Sequence, residues 1–227
     1  MTDFQEFEKL TCFSDWQLAT EKGAQRLFHG RGQCYPGFEF FTVDYFEPLL
    51  WIVLYREPEP VFWAQFCAAL QAKFAKECTA AIVQNRYDKA SSSYCLWGEN
   101  LDNYLAQEGA YRFQLDLSGK QNIGYFMDMQ PARAWLAERA EGRRLLNLFS
   151  YTCVFSVAAE QAGAASIVNI DMSKAALSVG RENHKLNPVA RASELRFLSH
   201  NILKSWGRLK KLGPFDILIC DPPSRQL

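Results

Sequence analysis

The chain has 227 residues, 25 Lys+Arg against 25 Asp+Glu, and is 48% hydrophobic and 14% aromatic. High apolar content at zero net charge excludes intrinsic disorder, and the length suits one large domain or two small ones. The longest apolar run, residues 49–55, is seven residues, against the roughly 20 of a membrane-spanning helix, so no membrane partner is expected.

The N-terminal residues Met1 to Glu6 are acidic, without the basic and apolar regions of a signal peptide. The seven cysteines are scattered, with no Cys-x-x-Cys pair, and there are only three histidines. That pattern predicts reduced thiols in a cytoplasmic protein and no metal site. The charge is uneven: residues 1–115 hold 10 basic and 15 acidic side chains, a net of −5, so residues 116–227 carry a net of +5. A mildly basic second half suits a polyanion, though an excess of this size is also ordinary surface.

Residues 38–46 and 49–55, rich in aromatic and β-branched types, predict two strands in tight connection around Pro48. Phe62, Phe66, Ala69, Leu70 and Phe74 form one stripe and predict a helix over 61–76. A strand is expected over 79–85, a loop with short irregular pieces over 86–110, and a strand over 111–117 from strict alternation. A helix follows over 131–140, with Pro131 in its first turn. Then strands at 145–149, 166–171, 195–199 and 215–220 alternate with helices at 154–161, 174–186 and 202–211. Such alternation indicates βαβ units and a parallel sheet, whose ligands sit at the carboxyl ends of the strands.

The strand over 145–149 runs through Ser150, Tyr151, Thr152 and Cys153 into a helix. The junction offers amide N–H groups and a positive dipole end to an anion, with Thr152 expected as N-cap. No glycine occurs between Gly142 and Gly163. That argues against a dinucleotide pyrophosphate and for a smaller anion, such as an amino-acid carboxylate. The strand over 166–171 ends at Asp171, where an acidic residue commonly accepts from ribose hydroxyls. Met172 could pack on an adenine face, while Asp171 or Ser173 could equally cap the next helix. The strand over 215–220 reads as buried and ends in Asp221-Pro222-Pro223-Ser224. The two prolines remove two donors and leave carbonyls and a carboxylate for a planar substrate, or simply make a rigid turn.

Taken together, the stretches Gly124 to Arg133, Asn147 to Val157, Val168 to Leu177, Arg181 to Asn187 and Asp221 to Ser224 resemble a class I S-adenosylmethionine-dependent methyltransferase. More narrowly, they resemble the bacterial family that includes large-subunit rRNA methyltransferases acting on cytosine C5 or guanine N7. His29 to Gly37 also resembles the Pro-Gly stretch before the small α/β domain of these enzymes. The resemblance implies a Rossmann-like α/β fold, with a small mixed α/β domain over 1–115, an RNA-binding or accessory unit. The S-adenosylmethionine-dependent domain then covers 116–227 and carries the first four strands of an order 3-2-1-4-5-7-6, incomplete at its C-terminus.

By the same resemblance, Phe126, Asp128, Asn147, Phe149, Ser150, Tyr151, Thr152, Asp171, Met172 and Asn201 bind S-adenosyl-L-methionine. The turn takes the methionine end, Asp171 the ribose, and Met172 and Asn201 the adenine. Asp221 and Pro222 orient the acceptor, a base in RNA. Asn201 stands where the family usually has an acidic residue, Gln130 replaces an arginine, and Arg225 replaces an aromatic residue. A cytosine-C5 enzyme also needs a thiolate, but Cys153 and Cys220 read as packing residues. An unpaired edge on the strand from Phe215 to Cys220 predicts self-association. Two other readings are a non-catalytic remnant with residual cofactor or RNA binding, and a nicotinamide-dependent oxidoreductase, which the glycine-free turn disfavours.

Overall fold

The computed structural model describes residues 3–19, 23–98, 104–118, 122–190 and 193–223; Ser224 and Arg225 of the sequence reading lie outside them. Two compact units emerge, one from residues 1–110 with 115–123, the other from 111–114 with 124–227.

The first unit is a five-stranded sheet in the order β1 (Ala24–His29), β2 (Phe41–Phe46), β3 (Leu49–Leu54), β4 (Ala80–Asn85), β5 (Ser93–Trp97). β2 and β3 are buried at every residue; β3 is apolar throughout, while β2 also buries Thr42 and Asp44, the latter paired with Arg26 at 2.7 Å. Helix α2 (Pro60–Phe74) crosses from β3 to the parallel β4 and buries Phe62, Phe66, Leu70 and Phe74, one residue per turn. Helix α1 (Phe4–Thr11) delivers Phe7 to the centre of an aromatic core. Its ring lies 5.2–5.8 Å from those of Phe28, Phe38, Phe41, Phe62 and Phe66, spacings typical of edge and offset packing.

Sequence reading missed α1, β1, β5 and β6 (Leu105–Glu108). β5 is half-buried or exposed along its length, so it has no period-two pattern to detect. The strand expected over 38–46 begins only at Phe41, because residues 39–40 form a turn; Phe38 and Phe40 still enter the core.

The second unit is a four-stranded parallel sheet in the order β10 (Glu194–Ser199), β9 (Ser166–Asp171), β8 (Arg144–Leu148), β11 (Ile217–Cys220). Numbered along the chain, this is 3-2-1-4, as expected. Alternate residues fill two cores: Leu145 and Ile167 pack with Leu136 and Ala159 on one face, and Leu146 and Val168 with Ile202 and Leu209 on the other. Helices α3 (Gln130–Ala137), α4 (Val154–Gln161) and α5 (Lys174–Leu186) agree closely with prediction.

The helix expected over 202–211 does not form. It breaks into a 3-10 turn, Ile202–Lys204, and a four-residue helix α6 (Trp206–Leu209), separated by Ser205 at φ −120°. The run holds few apolar anchors, with Leu203 and Trp206 exposed, and contains Gly207, which is costly in a helix. The expected burial of the last strand is also corrected. Leu218 is 60% exposed and Cys220 is exposed, because no described element covers that face of β11.

β7 (Tyr111–Gln114) belongs to the second unit, and Asn183 of α5 and the helix's C-cap residue Asn187 hold it. Asn183 Oδ1 accepts from the Gln114 amide at 2.9 Å, while Asn187 accepts from the Arg112 amide at 2.8 Å and donates to its carbonyl at 2.7 Å. Four residues apart on one helix face, these amides serve backbone groups that another strand would otherwise pair.

Candidate active site

Because β8, β9, β10 and β11 are parallel and in register, their carboxyl ends lie level on one edge of the sheet. Leu148 pairs with Ile170 and Cys220, and Ser199 with Asp171. The predicted site segments therefore converge: the turn after β8, Asp171 at the end of β9, Asn201 after β10, and Asp221 after β11.

The turn after β8 is built against the conformational preference of its residues. Phe149, Tyr151 and Cys153 all take left-handed backbone, at φ 55°, 46° and 61°, and none is glycine. Such positions cost about 1–3 kcal/mol each and persist only when their surroundings over-determine them. Here the Ser150 amide donates to the Ile170 carbonyl at 3.0 Å. The Tyr151 amide donates to Asp171 Oδ2 at 2.9 Å, and Asn183 Nδ2 donates to the Thr152 carbonyl at 2.9 Å. Thr152 is not the helix N-cap: that position is Cys153, without a side-chain cap. The Thr152 hydroxyl instead donates to the Gly124 carbonyl at 2.6 Å. Gly124 itself has φ 98°, and a Cβ there would come 3.0 Å from the Gln114 carbonyl oxygen, so its missing side chain lets the segment pass close.

Asp171 does the work of a structural clamp. One oxygen takes the Tyr151 amide and the other the Ser173 amide at 2.8 Å, while the Ser173 hydroxyl caps α5 by accepting from Ala176. The capping alternative was thus right for Ser173, and Asp171 keeps unused lone pairs beyond its two backbone bonds. Met172 beside it is 66% exposed. Asn201, half-buried, precedes the Ile202–Lys204 turn.

Asn147 lies behind the turn, in a buried polar chain that sequence reading did not anticipate. Its Nδ2 donates to Asn169 Oδ1 at 3.0 Å, Asn169 Nδ2 donates to Ser156 Oγ at 2.9 Å, and Ser156 Oγ meets His184 Nε2 at 2.8 Å. His184 Nδ1 closes on Glu160 Oε2. All five residues are buried, and the chain satisfies polar groups that would each cost a few kcal/mol alone (roughly 1–3). No motif signals it, since its members come from four separate elements, β8, α4, β9 and α5.

On the near side, Phe126 is exposed, its ring 5.9 Å from that of Tyr151. Arg133, fully buried, donates to the Phe126 carbonyl at 3.0 Å and stacks over Tyr125 at 4.9 Å, fixing this segment. Asp128 sits in the 3-10 turn Met127–Met129 and acts on Asp221. Asp221 is exposed as a residue, yet its carboxyl is raised from its ordinary value, first by partial desolvation and then by the Asp128 charge. Pro222 and Pro223 are exposed beside it. Burial pushes the Cys153 thiol up to about 12, which leaves it unionised packing, whereas Cys220 is exposed rather than the packing residue expected. Among the described residues no group of His, Cys, Asp and Glu could hold a metal ion, and no helix is long and apolar enough to cross a membrane.

One observation bears on the fit of S-adenosylmethionine. Ser150 Oγ is buried in the turn with no nitrogen or oxygen partner among the described residues and only the weakly bonding Cys153 thiol beside it, a state that a polar ligand would relieve. Together with exposed Met172 and the spare lone pairs of Asp171, the residues present fit such a group.

Comparison with known proteins converges on one family. The family model described as S-adenosylmethionine-dependent methyltransferase matches residues 25–227. Ribosomal RNA large subunit methyltransferase I of Cronobacter sakazakii is 28% identical over 218 residues, covering 92% of this chain and 54% of that protein. Ribosomal RNA large subunit methyltransferase K/L of Dichelobacter nodosus is 37% identical over 120 residues, covering 53% of this chain and 16% of that protein. The chain thus spans about half the length of the first relative and less of the second. Among solved structures, a Streptococcus mutans protein assigned to the S-adenosylmethionine-dependent methyltransferases superposes with a TM-score of 0.76 at 23% identity, covering 97% of this chain and 56% of that one.

Proposed function

The chain belongs to the S-adenosylmethionine-dependent methyltransferase family, and from that premise we propose that it serves methylation of a base in RNA, with ribosomal RNA the acceptor. The over-determined, glycine-free turn after β8, with Asp171 locked to it, carries the cofactor part of this reading. The names of the rRNA-methylating relatives support the acceptor.

When bound, the cofactor supplies an electrophilic sulfonium methyl. The chain's part is position and electrostatics. Phe149, Ser150, Tyr151 and Thr152 present the turn to the methionine end, with the Ser150 hydroxyl as a waiting donor. Asn147, buried behind them, holds β8 in place through Asn169. Asp171 accepts from the ribose hydroxyls with the lone pairs its backbone bonds leave over. Met172 covers one adenine face, Asn201 meets the adenine edge, and Phe126 and Asp128 close the near side. Asp221 accepts from an N–H of the acceptor base, and Pro222 lines its plane without a competing donor. A cytoplasmic location accords with this role.

Calorimetric titration with S-adenosylhomocysteine tests the cofactor part. Binding is expected, weakened about 10- to 100-fold by Asp171→Ala, the worth of a hydrogen bond to a charged group. An unchanged affinity in the folded variant would refute the ribose role, and no binding at millimolar ligand would sink the cofactor reading. Transfer of labelled methyl to ribosomal RNA tests the acceptor part; binding of S-adenosylhomocysteine without any transfer to RNA would count against it.

A further inference from the structure

The first unit has a second set of convergent strand ends. β1 and β3 both run antiparallel to β2, and β4 runs parallel to β3, so β1, β3 and β4 end on the same side of the sheet. Each is followed within two residues by an arginine: Arg31 after His29, Arg56 after Leu54, and Arg86 after Asn85. Three strand spacings of about 4.8 Å place these arginines along an edge of about 14 Å.

Aromatic rings gather the three cations. The Arg31 guanidinium lies 4.3 Å from the centre of the Tyr55 ring, and that of Arg86 lies 5.7 Å from the same ring. Arg56 lies 5.4 Å from the centre of the buried Phe40 ring. Backbone bonds fix the rings: the Tyr55 amide donates to the Phe40 carbonyl and the Arg86 amide to the Leu54 carbonyl, both at 2.7 Å. Arg86 also donates to Gln84 Oε1 and Asn122 Oδ1, neutral acceptors that orient it without cancelling its charge.

Among the described residues, none of the three arginines has a carboxylate within ion-pair distance. The nearby carboxylates direct their hydrogen bonds elsewhere, Glu39 accepting from the Gly37 amide and Asp88 from the Ala90 amide and the Ser92 hydroxyl, and Glu57 beside Arg56 is exposed. Arg31 and Arg86 share one ring without a directly paired carboxylate, so their charges repel one another, and a bound anion would relieve that repulsion. Guanidinium groups held over aromatic rings are suited to phosphate oxygens and to unpaired bases.

We propose that Arg31, Arg56 and Arg86, gathered by Tyr55 and Phe40, form a contact site for the phosphodiester backbone of single-stranded RNA. The site deepens the proposed function and rests on its choice of RNA as acceptor. Residues 1–115 are net acidic, so diffuse attraction does not hold the strand there, and affinity depends on these few contacts.

Fluorescence anisotropy with a labelled single-stranded RNA of about 12 nucleotides, read against KCl concentration on the full chain, tests this. Arg31 and Arg56 are exposed, so R31E/R56E should leave S-adenosylhomocysteine binding unchanged. The same variant should weaken RNA binding at least about ten-fold and flatten the salt slope by about 1.4, two contacts at about 0.7 each. R31K/R56K, which keeps the charge, should restore most of the salt slope. Wild-type RNA binding that R31E/R56E leaves intact, with the same slope, would overturn this site while sparing the RNA reading. Wild-type chain that binds S-adenosylhomocysteine but not RNA would overturn both.

Discussion

Asp221 and Asp128 show how a residue's neighbours set its chemistry. An aspartate ordinarily titrates near pH 4, but burial and then the Asp128 charge raise Asp221. The ionised form is therefore less favourable in the folded protein than in the unfolded chain. Its cost to stability is absent below the ordinary aspartate range and complete above the raised midpoint. A carbon-detected NMR titration should find the Asp221 midpoint above that of an ordinary aspartate. Asp128→Asn should lower it only in part, since burial is the larger cause; an unmoved midpoint would show that the two carboxyls do not interact. A carboxylate that accepts from the substrate must be ionised, so the acid limb of any methyl-transfer profile should shift toward lower pH in the same variant. The identity of Asp221 as the residue to watch was readable from Asp-Pro-Pro after an apolar run. Its interaction with Asp128 was not, because 93 residues separate them in the chain and only the fold brings the turn Met127–Met129 near the end of β11.

At the scale of elements, the turn after β8 depends on α5 as much as on its own residues. A Cβ built on Gly180 would lie 2.5 Å from Cys153 Sγ and 3.0 Å from Cys153 Cβ, so this glycine lets α5 approach the left-handed Cys153. Gly180→Ala should destabilise the protein by about 1–3 kcal/mol, the usual cost of overpacking. Cys153→Ala in the same chain should recover part of it, giving a coupling of at least about 0.5 kcal/mol in urea unfolding. Strictly additive losses would mean that the helix moves away without strain. Helix α5 was legible because it has a Ser cap, and α4 because it is an apolar run of helix length between two strands. The stretch over 202–211 misled because Ile202 and Leu209 mark the right faces, yet the residues between them provide too little burial to offset helix ordering. β5 escaped notice because a half-exposed strand is held by its neighbours' backbone groups rather than by its own side chains, and β6 because its alternation runs over only four residues, Leu105–Glu108, two of them polar.

Across the whole molecule, each unit has its own core: the phenylalanine cluster around Phe7 in one, the two faces of the parallel sheet in the other. The candidate cofactor residues all belong to the second unit. S-adenosylhomocysteine at about 100 times its dissociation constant should stabilise that unit by about 2.7 kcal/mol. Scanning calorimetry should then show the ligand raising one of two transitions and leaving the other in place. A single transition that shifts as a whole would show that the units unfold together.

By itself the sequence determined the alternation of strands and helices after residue 130, the glycine-free turn, and the acidic residues at the strand ends, because periodicity, caps and motifs are local properties of neighbouring residues. It also determined the resemblance that led to the family. Only the tertiary structure decided that Phe149, Tyr151 and Cys153 are left-handed, that Thr152 ties to Gly124 rather than capping a helix, that a chain of buried amides stands behind Asn147, and that three arginines share one sheet edge. The physical reason is common to all four. Each depends on a partner far away in the chain, and such a partner exerts no influence on local sequence pattern until the fold has brought it within hydrogen-bond or van der Waals range.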